Sequence, residues 1–143
     1  MKQAAIILLL VLSSLSSFAQ DKYLADVEGT QNLSKEVAQL FYDDYITVAF
    51  KKLTPYWPLP ADELEGLEEK TIRYLNLLDT RFGKKTELVK LRDEKIGDFA
   101  KRETYLIRYE LSAIRLIFTY YKNNNGWIVN AFKWDDKLSE EFK

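Results

Sequence analysis

A chain of 143 residues with 47% apolar and 14% aromatic residues has the material for one packed domain and is not a disordered tail. It contains no histidine and no cysteine, which excludes imidazole bases, thiol nucleophiles, thiolate metal sites and a disulfide framework. Its 21 basic and 22 acidic residues nearly cancel without forming a basic stripe, so no nucleic-acid partner is expected.

Residues 1–19 have the layout of a secretory signal peptide. Lys2 is the basic flank, Ala4–Leu12 an apolar run too short to span a bilayer, and Ser17 and Ala19 the small residues of a cleavage site. Cleavage would leave Gln20 as the first residue, and with no lipobox cysteine no lipid anchor is expected. The expected location is the periplasm or the medium, with no membrane anchor after cleavage.

Residues 20–33 are polar and read as a flexible lead-in, followed by a single domain over 34–137 and a tail at 138–143. Val37, Leu40, Phe41, Tyr45 and Val48 recur at three- and four-residue spacings, which predicts a helix over 34–53 capped by Ser34 or Asn32. Pro55, Pro58 and Pro60 stop it. A second helix is expected from Asp62, with Glu65 at capping-box spacing and Leu64, Leu67, Thr71, Tyr74, Leu75 and Leu78 as its buried stripe. Gly83 ends it.

Beyond Gly83 the apolar period falls to two, and four strands are predicted, at 85–96, 99–111, 114–122 and 127–135. A two-residue turn at Ser112-Ala113 would set Leu111 opposite Ile114, Tyr109 opposite Leu116, Ile107 opposite Phe118 and Tyr105 opposite Tyr120. The other face carries Val89, Leu91, Leu106, Ile117 and Tyr121, and needs cover from a pocket, a second copy or the tail. The expected class is α+β: two N-terminal helices on a four-stranded antiparallel meander.

That order of elements, with IGDFAKRETYLIRYE, then RLIFTYYKNNNGWIVNAFKWDD and a short acidic tail, resembles the small exported proteins of the nuclear transport factor two-like (cystatin-like) superfamily. The resemblance covers roughly 34–137 and is clearest at 96–136, where Gly126-Trp127 and Phe132–Asp136 close the sheet. It implies a cone whose curved sheet wraps the helices around a cavity. It carries no single activity, because the superfamily hosts isomerases, hydrolases and binding domains.

Without histidine or cysteine, acid–base work falls to carboxylates, tyrosines and lysines. Asp44, at the margin of the helical stripe, is the one candidate base, with Tyr105, Tyr109 or Tyr120 across from it on the sheet. Ketosteroid isomerase, of the resembled superfamily, uses an aspartate base and a tyrosine-containing oxyanion site. The competing reading makes Asp44 a rim residue that only supports the fold. Tyr56-Trp57, held between prolines, is either an aromatic lid or a plug closing the core. The leading expectation is a non-catalytic binding domain. Tyr45, Trp57, Tyr105, Tyr109 and Tyr120 would hold a small apolar ligand or a protein partner, without cofactor or metal. A homodimer would cover the second sheet face.

Overall fold

The structure, a computed structural model, describes residues 22–143; the expected leader and its cleavage site lie outside the described residues. Three helices, α1 (Val27–Tyr42), α2 (Ile46–Leu53) and α3 (Ala61–Phe82), precede four strands. The strands are β1 (Lys85–Ile96), β2 (Ala100–Tyr109), β3 (Ala113–Asn123) and β4 (Gly126–Asp135). They form one antiparallel sheet in the order β1-β2-β3-β4, so the chain is α+β and β1 and β4 are the sheet edges.

The single helix expected over 34–53 is two helices, and the first begins inside the stretch read as a lead-in. Asp26 caps it, its Oδ1 accepting from the Gly29 N–H at 2.8 Å. Ser34 is not a cap but lies on the buried side of α1. The break comes where the Tyr45 N–H reaches the Leu40 carbonyl at 2.8 Å and the Asp44 N–H the Phe41 carbonyl at 3.3 Å. These are the two bonds of a Schellman ending, and Asp44, with φ of +64°, fills its left-handed position. Aspartate is one of the few residues besides glycine and asparagine that adopt it readily. With no glycine or proline to mark the turn, apolar spacing alone ran straight through it.

Helix α3 starts directly on Pro60, which places Asp62 and Glu63 in its first turn. They complement the positive end of the dipole there, and the expected Asp62–Glu65 capping box does not form. The helix ends at Gly83, whose φ is +83°; a Cβ there would stand 2.7 Å from the Glu110 carboxylate. The Leu111 N–H then bonds the Phe82 carbonyl, tying this helix end to the β2–β3 turn.

The β2–β3 register is four residues away from the expected one. Ile107 faces Ile114, Tyr105 faces Leu116, Glu103 faces Phe118 and Lys101 faces Tyr120. A four-residue slip is even, so every side chain keeps its face and only the partners change. The turn spans four residues, closed by the Tyr109 N–H on the Ser112 carbonyl at 2.8 Å, with Leu111 exposed at its tip.

Helix α1 lies across β1, β2 and β3. The core between helices and sheet joins Val37, Phe41, Phe50 and Leu53 to Ile107, Leu116, Phe118 and Phe132. On the outer face, Arg92 of β1 and Arg115 of β3 both reach Glu141, the Arg115 bond measuring 2.7 Å. That lays the C-terminal 3-10 segment Leu138–Phe142 against β3, on the face where Leu106 of β2 and Ile117 of β3 are buried. The tail is therefore a cover for this face. At the other end of the face the row Ile96, Ala100, Tyr121, Ile128 stays open, with Ile96 68% and Tyr121 45% exposed.

Candidate functional site

The tyrosines and the aspartate grouped by sequence reading occupy three separate places. Asp44 stands in the α1–α2 turn, its side chain 66% exposed and ion-paired with Lys85. The Lys85 ammonium also donates to the Phe41 and Tyr42 carbonyls at 3.3 and 3.2 Å, so it neutralises the negative end of α1 as well as Asp44. Asp44 therefore does not hold the desolvated position across from the sheet tyrosines that the base role requires. Tyr45, beside it, is exposed.

Tyr120 is fully buried on the inner face and does not meet Asp44. Its hydroxyl lies 2.6 Å from Ser34 Oγ, and Ser34 Oγ donates to Glu103 Oε2 at 3.0 Å. The serine has one proton and a carboxylate can only accept, so Tyr120 must donate to Ser34. Glu103, with no exposed surface, is approached by Lys90 Nζ at 2.9 Å and by Lys101 Nζ at 3.5 Å. Asp93 completes the set, 3.2 Å from Lys90 and 3.5 Å from Lys101, and it accepts from Gln31 of α1 at 3.1 Å.

Two ammoniums and two carboxylates thus alternate beneath α1. Burial pulls Lys90 down, but the Glu103 bond and charge and the Asp93 bond outweigh it and hold the ammonium above its ordinary range. Burial lifts Asp93, but bonds from Gln31 and Lys90 and the Lys101 charge leave it below the usual carboxylate range. Burial is the main cause that pushes the Tyr120 hydroxyl far above a free phenol. Nothing in the apolar spacing marks this network. The signal is strand parity: Lys101 and Glu103 share that of Tyr105, Ile107 and Tyr109, which makes them inward-facing charges.

Tyr105 joins the inner face edge-on to Phe118, ring centroids 6.0 Å apart, with the Lys90 ammonium 5.9 Å over its ring. Tyr109 packs on Phe82 at 5.7 Å. Its buried hydroxyl lies beside Asp79 without an aligned hydrogen bond, and burial followed by the Asp79 charge pushes it well above its usual value. A cleft of about 540 Å³ between α2 and α3 is lined by Asp44, Tyr45 and Asp79. Of the grouped residues only Asp44 and Tyr45 line it; Tyr109 is buried behind Asp79 and does not.

Trp57 is buried, its ring perpendicular to Phe132 at 6.3 Å. It plugs the core and also forms one wall of a second cleft, of about 370 Å³, between α3 and β4. Phe50, Leu67, Tyr74, Phe132 and Trp134 make that cleft apolar, and Lys70, Thr71 and Lys133 complete its lining. Trp134 is fixed by its Nε1–H donating to Thr71 Oγ1 at 3.1 Å. Arg115 lies on the outer face and grips Asp135 with two bonds of 2.7 Å.

Among the described residues no group of three or more acidic side chains is placed to hold a metal ion. No described helix is long and apolar enough to cross a membrane. Comparison with protein-family models, with curated proteins and with solved structures returns no match.

Proposed function

We propose that this chain is an exported, non-catalytic binding domain that holds a small apolar ligand in the cleft between α3 and β4. The single observation behind this reading is that cleft, an open space of about 370 Å³ walled by Trp57, Phe132, Trp134 and Tyr74. The inner sheet face that the sequence reading favoured is filled by α1 and α2, so the ligand site moves to the aromatic wall beside Trp57. The cone of the nuclear transport factor two-like superfamily remains the proposed fold family. Export rests on the leader pattern of residues 1–19, and a mature protein beginning at Gln20 is the result expected from N-terminal sequencing.

The test is a titration with the dye 1-anilinonaphthalene-8-sulfonate, followed by dye and tryptophan emission. Saturable one-to-one binding is expected, abolished when Leu67→Trp fills the cleft. Binding that does not saturate, or that ignores Leu67→Trp, removes the reading. A second copy is proposed to cover the open Ile96–Ile128 row, and light scattering at micromolar concentration should then give twice the monomer mass.

An enzyme using Asp44 and a tyrosine has one observation in its favour, the 540 Å³ cleft that Asp44 shares with Asp79, whose carboxylate lies beside the buried Tyr109 hydroxyl. The Lys85 ion pair weighs against it. Ester or ketosteroid turnover that disappears with both Asp44→Asn and Tyr109→Phe would reinstate it.

A further inference from the structure

Strand β4 is a sheet edge whose outer side is paired only at its beginning. Leu24 and Trp127 exchange backbone bonds of 2.9 and 2.8 Å, so an extended piece of this chain already adds to the edge as an antiparallel bridge. Gly126 permits that approach, since a Cβ there would stand 2.7 Å from the Leu24 carbonyl oxygen. From Val129 to Asp135 no other described segment bonds to the backbone of β4 from the open side.

The apolar cleft runs along this bare stretch. It touches Phe132, Lys133 and Trp134, three successive residues. Successive side chains of a strand point to opposite faces, so a cleft reaching all three reaches the backbone edge between them. One wall is thus a row of strand N–H and C=O groups and the other is the apolar side of α3 at Leu67, Thr71 and Tyr74.

We propose that this edge binds an extended peptide by strand addition, and that the peptide alternates large apolar with acidic side chains. The inference rests on the apolar-cleft reading above and adds the backbone to it. Apolar side chains of such a strand enter between Trp57, Trp134 and Tyr74. The intervening ones fall on the face of Lys133. Lys133 and Lys70 have no carboxylate within ion-pair distance among the described residues. Asp135, two residues beyond Lys133, is already held by Arg115. The uncompensated charge along the edge is therefore positive and selects acidic residues. A lysine on an edge strand also deters self-pairing, a role that charge reversal separates from this one.

The probe is the acetylated, amidated hexapeptide Asp-Phe-Asp-Leu-Asp-Phe, titrated into the purified protein with amide shifts followed by NMR. Saturable shifts are expected in the segment 129–135, together with slowed hydrogen exchange there. N-methylation of alternate peptide nitrogens should weaken binding by about tenfold or more in one of the two registers, as loss of a few backbone bonds requires. Lys133→Glu, an exposed change, should weaken the acidic peptide several-fold and favour one with lysine in place of aspartate. Equal binding of both N-methylated peptides overturns strand addition while leaving the apolar cleft standing. No peptide binding alongside saturable dye binding does the same. Loss of peptide and dye binding together removes both readings.

Discussion

The two halves of the inner sheet face are built by opposite rules. On the β1–β2 side, Lys90, Asp93, Lys101 and Glu103 pair their charges with one another, while Gln31 and Ser34 donate to the two carboxylates. On the β3–β4 side, Phe132 meets Phe118, Phe41, Phe50 and Trp57 with ring centroids 4.9 to 6.3 Å apart. A buried charge needs a counter-charge close by, so the ionic half is closed, with Lys101 Nζ held by two carboxylates at 3.5 Å. Aromatic rings need only area and an acceptable tilt, so their half tolerates an open cleft against α3. The first half holds the fold in one arrangement and the second leaves room for a ligand.

The largest expected effect breaks the ionic half. Glu103→Ala leaves two ammoniums facing an empty space and should cost about 3–5 kcal/mol in urea unfolding. The double change Glu103→Leu with Lys101→Met should recover most of that loss, and failure to do so would show the network contributes more than charge balance. Phe132→Ala should cost about 3 kcal/mol, near the low end for a buried phenylalanine, because water can enter from the cleft. Dye affinity should fall with it, whereas Glu103→Ala should leave the dye affinity of the folded fraction unchanged.

The pH dependence sharpens the contrast. Lys90, Tyr105, Tyr109 and Tyr120 all titrate above their ordinary values in the folded chain. Their contribution is complete below the unfolded values and is lost as pH rises above about 10. Asp93 and Asp135 titrate below theirs, so their contribution is complete above about pH 4 and fades as pH falls through the folded values. Stability against urea should be flat between these limits, and Tyr120→Phe should soften the alkaline fall. At neutral pH the same change should cost about 1 kcal/mol, since it strips one buried hydrogen bond from Ser34. The smallest effect lies outside both halves: Asp44→Gly should shift stability by under about 1 kcal/mol, because glycine keeps the left-handed position open.

Elements defined by local rules were legible. The strands at 85–96 and 127–135 and the end of the second predicted helix at Gly83 agree closely with β1, β4 and the end of α3. The Asp44 turn was not legible, because a Schellman ending with aspartate leaves the apolar spacing of Phe41, Tyr45 and Val48 undisturbed. The candidate site suffered most from that turn. A continuous helix would have aimed Asp44 at the sheet, whereas the reversal aims it at Lys85 and solvent. Trp57 was legible as an aromatic fixed by prolines, but not the α3–β4 cleft behind it, whose walls lie far apart in the chain.

Composition and spacing, by themselves, settled that this is an α+β chain without thiol or imidazole chemistry, and which apolar residues share a face on β2 and β3. Both follow from residue type and from a backbone period of two or 3.6, which are local quantities. Only the tertiary structure decided that Lys101 and Glu103 find counter-charges from β1 and a serine from α1. It also decided that the tail reaches Arg92 and Arg115, and that β4 keeps an open edge beside aromatic walls. Those outcomes depend on register and on which distant segments meet, and a four-residue slip between β2 and β3 changes every such meeting while leaving the local pattern intact.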